Sequence, residues 1–223
     1  MSAPEPLPET LAVFPLTGVL LLPDTVLPLH VFEPRYRHLI QDALEAGGVF
    51  GMIQPLVPRQ DNRPPPDADP DRPALYTVGC AGRIEQHERT ADGRYLLLLR
   101  GLARFRVIEE LPPRRGYRRV RADYSAFGDL QPPPEFLLHR RELLAALEAF
   151  SRAHGQEIAS AQVDALEDLD LLHAMAVSLP FHPTEKQALL EAPALAEREA
   201  LLIELLRMGA RTKDEDDTEH NVN

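Results

Sequence analysis

The chain has 223 residues, 44% of them hydrophobic, and its 24 basic and 35 acidic side chains give a net charge of −11. That length suits one large or two small domains with a buried core, and the acidic balance argues against general nucleic-acid binding. No apolar run approaches the roughly 18 residues of a membrane span, and a single cysteine, Cys80, leaves no internal disulfide or cysteine-based zinc site.

The amino-terminal MSAPEPLPET lacks the features of a secretory signal, so a cytoplasmic location and a disordered stretch over residues 1–10 are expected. Charge is spread unevenly. Residues 11–125 sum to +2 and residues 126–208 to −8, an asymmetry that suggests two structural units.

From Leu11 to Arg37 short apolar runs are punctuated by Pro15, Gly18, Pro23 and Pro28. Proline cannot donate to a sheet ladder, so this stretch reads as short, bent strands opening a barrel-like sheet. Pro34 then starts a helix over Pro34–Ala46, with Tyr36, Leu39, Ile40, Ala43 and Leu44 on one face, and Gly47-Gly48 ends it. Val49–Leu56 reads as a strand. The polar, proline-dense run 57–73 reads as an exposed, mobile loop.

Ala74–Leu111 is the clearest β region, with Asp92-Gly93 signalling a two-residue type I′ hairpin turn. Gly79, Gly82 and Gly101 inside it suggest bulges or barrel corners. Arg118–Tyr124 alternates as a further strand. After Pro132-Pro133-Pro134 the period becomes helical: Glu135–Ala153, Leu166–Leu179, Pro183–Glu191 and Ala194–Met208, the last closed by Gly209. Either His182 or Thr184 caps the third of these helices, and the placement of Pro183 favours His182. The acidic tail 210–223 is expected to be disordered.

Residues in patterns that carry chemistry are few. The only lysines, Lys186 and Lys213, follow Glu185 and Thr212, so no Gly-Lys-Ser/Thr phosphate loop exists, and both lysines read as solvated rather than as half of a Ser–Lys dyad. No G-x-S-x-G elbow surrounds Ser125, Ser151, Ser160 or Ser178. Cys80, between small residues in a strand, reads as core. The eight histidines lack metal-ligand spacing, and neither metal nor cofactor is expected. One basic concentration stands out: Arg100, Arg104, Arg106, Arg114, Arg115, Arg118, Arg119 and Arg121. It could serve an anionic partner, but with no interleaved aromatics for base stacking a solvated strand face is the favoured reading. Glu33 beside Arg35 and Arg37 could recognise a ligand or simply fix the strand-to-helix junction.

An ordered series of short motifs runs through the chain. It comprises Phe14-Pro15-Leu16, Leu22-Pro23, Leu27-Pro28-Leu29, Phe32–Arg37, Leu75–Gly79 with Arg83-Ile84, and Asp92-Gly93 with Arg100–Arg106. Leu179-Pro180, Glu185–Glu191 and Leu195–Arg198 complete it. Together they resemble the N-terminal, substrate-recognition domain of ATP-dependent Lon proteases. The resemblance implies an α+β fold: a PUA-like β pseudo-barrel over 11–128, then an α-helical bundle subdomain over 129–209. It also implies a non-catalytic, polypeptide-binding module without ATPase or protease parts. Unfolded or extended polypeptide, and a protease or chaperone, are the partners it suggests, and the contacts assigned on this basis are Glu33, Arg35, Tyr36, Arg37, Met52 and Gln54. The alternatives are an RNA-binding PUA-like module and a stand-alone hydrolase using Cys80 or a serine.

Overall fold

The computed structural model describes residues 6–56, 72–131, 136–155 and 165–220, with side chains as far as Arg211. Residues 57–71 of the loop expected over 57–73 and the boundary at Pro132–Pro134 lie outside them, as do residues 1–5 of the stretch expected over 1–10. Two compact units result, residues 1–132 with 181–190, and residues 133–180 with 191–223.

In the first unit the prolines break the opening stretch into β1 (Thr10–Pro15) and β2 (Val26–Val31), with an irregular segment between them. Helix α1 (Pro34–Glu45) follows, with Pro34 in its first turn and Tyr36, Leu39, Ile40 and Ala43 buried. Each fully buried leucine or isoleucine there contributes about 1.5–3 kcal/mol. Then come β3 (Val49–Pro55), β4 (Leu75–Arg89), β5 (Tyr95–Arg114) and β6 (Tyr117–Asp123).

The sheet order is β2-β5-β4-β3-β1-β6, and β6 also pairs with β5, which closes five strands into a ring. Closure depends on the length of β5. One of its edges takes β2 over Tyr95–Arg100 and β6 from Arg106 to Arg114. Strands β1 and β3 are parallel because the chain crosses over through β2 and α1, and the other pairings are antiparallel. The barrel interior is filled by Leu11, Val13, Ile53, Ala81, Phe105, Val120 and Ala122. Strand β2 remains an edge among the described residues.

The turns differ from the sequence reading. Asp92-Gly93 does not form a two-residue loop: Gly93, at φ +80°, donates its N–H to Thr90, and the loop runs from Thr90 to Arg94. The two-residue turn with positive φ at both centres is Arg115-Gly116 (φ +48° and +89°), between paired Arg114 and Tyr117. That turn docks on α1. Asp42 accepts from the Tyr117 hydroxyl at 2.6 Å and from Arg115 at 2.5 Å, and it pairs with Arg114 at 3.0 Å.

Burial alone would raise the Asp42 carboxyl, yet the Tyr117 and Arg115 hydrogen bonds and the Arg114 charge hold it below the usual range. Burial, then the Asp42 hydrogen bond and charge, push the Tyr117 phenol up to about 12. A carboxyl with a depressed folded pKa stabilises the fold above its unfolded value of about 3.9, and that stability is lost as pH falls through the folded value. Asp42→Asn is therefore expected to destabilise the chain at neutral pH, with the gap to the unmodified protein closing in the acid range. Urea melts at stepped pH check this; a gap independent of pH would contradict it.

Helix α4 (Pro183–Glu191) is the largest departure from the expected organisation, because residues 181–190 group with the barrel rather than with the helical subdomain. Buried amides explain the grouping. Gln54 of β3 donates to the Pro183 carbonyl at 3.0 Å and to Gln187 Oε1 at 3.1 Å, while Gln187 donates to the Val78 carbonyl of β4 at 3.1 Å. At the helix start the His182 N–H donates to Glu185 at 2.7 Å, the reciprocal half of a capping box, in accord with His182 as the cap.

The second unit holds α2 (Arg140–Ala153), α3 (Asp168–Ser178) and α5 (Leu195–His220). Helix α2 starts at Arg140, five residues later than Glu135. The buried Glu199 of α5 accepts the His139 N–H at that start, a carboxylate where the helix dipole favours one. Helix α5 runs through Gly209 instead of stopping at Met208. A Cβ at Gly209 would lie 2.6 Å from the Phe150 ring, so this glycine permits close packing on α2 and does not mark a helix end. Among the described residues no helix is long and apolar enough to cross a membrane.

Candidate functional site

The six residues assigned from the sequence divide into an outer and an inner set. Glu33 stands at the N-cap position of α1 with no side-chain capping bond, and it pairs with Arg35 at 2.9 Å, both side chains about two-fifths exposed. An ion pair that exposed is worth about 0–1 kcal/mol, so either partner can be redirected to a ligand at little cost. Arg37 is half-buried, with its guanidinium over Gly93 at the tip of the β4–β5 hairpin. These three occupy the surface.

Tyr36, Met52 and Gln54 do not. Tyr36 is buried against Phe14, ring centroids 4.1 Å apart, and burial raises its phenol above the ordinary value. Met52 and Gln54 alternate with the core residue Ile53 and so lie on the outer side of the barrel wall, but both are buried. Gln54 is covered by α4 and also accepts the Gly18 N–H at 2.8 Å. Both of its N–H donors are engaged within the chain, by the Pro183 carbonyl and Gln187 Oε1.

An exposed apolar surface begins next to Glu33. Phe32 is 57% exposed and meets His30 edge-on at 5.8 Å between ring centroids. Along β2, Val26, Pro28 and His30 are all exposed, while Leu29 and Val31 turn inward and are buried. Across the ladder His30 faces Leu96 and Pro28 faces Leu98, and the next strand sets Glu88 and Gln86 opposite those leucines. Pro28, His30, Gln86, Glu88, Leu96 and Leu98 line a shallow depression of about 660 Å³. A surface signal lay in the sequence. Leu96–Leu99 is apolar on both faces of its strand, and only Leu97 and Leu99 are buried.

The arginine run is largely neutralised. Arg100 pairs with Glu85, Arg104 with Asp129, Arg114 and Arg115 with Asp42, Arg118 with Glu110, and Arg121 with Glu109. Arg119 donates to the Pro112 carbonyl at 2.9 Å. Of these pairs only Arg104–Asp129 is fully buried. Those of Arg100, Arg114, Arg115 and Arg121 leave the arginine about two-fifths or more exposed, and the carboxylates they face lower the net charge the run offers to phosphate. Cys80 is 1% exposed, which fits a core role and not a nucleophile. Among the described residues no group of three or more His, Cys, Asp or Glu is arranged to hold a metal ion.

Residues 10–208 match the family described as the ATP-dependent protease La (LON) substrate-binding domain. Lon protease 2 of Myxococcus xanthus is 30% identical over 209 residues, 91% of this chain and 24% of that protein. Lon protease of Anaeromyxobacter dehalogenans is 27% identical over 209 residues, 91% of this chain and 23% of that one. The chain thus spans about a quarter of the length of these relatives.

Among solved structures, a Lon N-terminal domain protein from Xanthomonas campestris superposes with a TM-score of 0.56 at 25% identity, covering 88% of this chain and 96% of that one. The N-terminal domain of the Mycobacterium avium complex Lon protease gives 0.59 at 18% identity, covering 88% and 97%, a likeness of fold. The pseudo-barrel, the helical unit and the matched span agree, and the chain belongs to the Lon substrate-binding domain family.

Proposed function

We propose that this chain is a non-catalytic, cytoplasmic polypeptide-recognition module, acting as an adaptor, a substrate-recognition protein or a regulator. It holds extended or partly unfolded segments on the outer face of β2 and β5. The observation that carries this reading is the exposure of Val26, Phe32 and Leu96 beside a sheet edge. An extended segment buries alternate side chains against such a strip, and Glu33, Arg35 and Arg37 supply a polar rim at its end. Tyr36, Met52 and Gln54 are buried and lie outside this strip. The matched span corresponds to the substrate-binding part of its relatives, which supports recognition without catalysis.

Fluorescence titration with a reduced, alkylated and therefore unfolded model polypeptide tests the proposal. Saturable binding at about tens of micromolar is expected, with Leu96→Glu weakening it about tenfold or more, because one buried leucine contributes about 1.5–3 kcal/mol. The melting temperature should fall by no more than about a few degrees, since Leu96 is exposed in the free protein and the new carboxylate faces one like charge, Glu88, across the ladder. No saturable binding, or unchanged affinity in Leu96→Glu, would overturn the assignment.

A further inference from the structure

We infer that α4 is a clasp that opens as a unit, and that its opening loosens the edge strand β2 through the segment 16–25. The inference concerns regulation of the surface proposed above and rests on that proposal only for its functional consequence. Its basis is one buried side chain serving two elements. Gln54 donates to Pro183 and Gln187 of α4, and through Oε1 it accepts the Gly18 N–H of the segment leading to β2. Gly18 also lies against Pro183, where a Cβ would stand 3.8 Å from the proline ring. A change in α4 is therefore felt directly at Gly18.

The far end of the segment is tied as closely to the β2–β5 ladder. Asp24 donates to the Gly101 carbonyl at 3.0 Å, and Gly101 donates to the Thr25 carbonyl at 2.9 Å. Leu20, Leu21 and Leu22 between the two ends are buried and carry displacement as a packed unit. Strand β2 begins one residue after Thr25.

The helix itself suits opening as a unit. Nine residues are too few for a helix to persist alone in water, so α4 stays helical only while docked. Its polar fasteners, Gln187 to Val78, Gln54 to Pro183 and Gln187, and Arg104 to the Leu190 carbonyl at 3.1 Å, grip both ends. Losing one frees the register of the whole short element. The chain leaves the barrel unit before α4 and again after it, so the helix is held at both termini by connections into the other unit.

Residue-resolved hydrogen exchange on the full chain tests the clasp without bound polypeptide. In Gln187→Met the α4 amides are expected to exchange about ten- to a hundredfold faster, the effect of losing a buried amide's hydrogen bonds. The Gly18, Asp24 and Gly101 amides should accelerate with them, and the amides that pair strand β1 with strand β6 should not. Acceleration confined to α4 would overturn the coupling, and acceleration of all elements together would overturn the unit opening.

Should Gln187→Met fail to fold, the unmodified chain in stepped low urea gives the same decision. A shared opening of α4, Gly18, Asp24 and Gly101 below that of the amides pairing β1 with β6 supports the clasp, and separate or wholly global openings overturn it. Because no polypeptide enters these measurements, failed polypeptide binding and a failed clasp are distinguishable.

Discussion

Replacing Arg104 with methionine is expected to lower the free energy of unfolding by about 3–5 kcal/mol, because it strands a buried carboxylate. Arg104 and Asp129 have side chains only 4% and 9% exposed, and they meet through two parallel hydrogen bonds of 2.8 and 2.7 Å. The Asp129 carboxylate also accepts the Arg104 backbone N–H at 2.8 Å. The guanidinium lies 4.3 Å from the centre of the Phe127 ring and donates to Leu190 at the end of α4. One side chain thus fastens the segment after β6 and the clasp helix to β5.

Methionine keeps most of the volume and removes every side-chain donor, leaving Asp129 only the backbone N–H of residue 104. The double variant Arg104→Met/Asp129→Leu is expected to be more stable than Arg104→Met alone, since it removes the orphaned charge. Arg100→Met, breaking the exposed pair with Glu85, should cost about 1 kcal/mol or less. Urea denaturation of the three variants decides the matter. Equal small losses for Arg104→Met and Arg100→Met would refute a structural hub at Arg104.

The second large effect is steric. In Gly101→Ala the new Cβ would stand 2.0 Å from the Leu22 carbonyl oxygen and 2.8 Å from its carbon, which are backbone atoms with little room to move. Thr25 holds them, its hydroxyl donating to the Leu22 carbonyl at 2.8 Å and accepting the Leu22 N–H at 3.0 Å. Relief requires the segment ahead of β2 to lift off β5. A loss of about 3 kcal/mol or more is expected, at or beyond the upper end of ordinary overpacking.

Gly47→Ala separates this from conformational strain. Its φ is +91°, but nothing lies within 4 Å of the added carbon, so the expected loss is about 1–2 kcal/mol. Thermal melts and exchange at the Asp24 and Gly101 amides provide the readout. If Gly101→Ala cost no more than Gly47→Ala, the close crossing at Leu22 would be disproved.

Legibility followed the range of the interaction that fixes each feature. Helix α1, strands β3 and β6 and the period change after residue 132 rest on local signals, namely Pro34, alternation and helical spacing. The Asp92-Gly93 turn was misread because Thr90, whose hydroxyl donates to Asp92, reaches across the loop and favours a longer one. Arg115-Gly116 gives no comparable sequence signal, and its docking through Asp42 comes from 73 residues away.

Gly209 looked like a helix stop because Phe150, its packing partner, is nearly sixty positions earlier. The placement of α4 with the barrel depends on Gln54 and Gln187, 133 residues apart, which no periodicity reveals. At the candidate site the exposed junction of Glu33, Arg35 and Arg37 was identifiable from charge and strand-to-helix switching. Gln54 and Met52 were not, because alternation gives the side of a strand and not what covers it.

The closed ring carries a consequence for synthesis on the ribosome. Strand β1 needs β3 on one edge and β6 on the other, and its partner across the closure, Arg118 for Val13, is encoded about a hundred residues later. At translation speeds of about 5–20 residues per second, β1 waits roughly 5–20 s for that partner to be made. During that interval β3 can satisfy only one edge. The other stays open to any extended neighbour, and α4 arrives later still to cover Gln54. A newborn chain of this family therefore passes through a stage in which it resembles the unfolded segments it is proposed to hold.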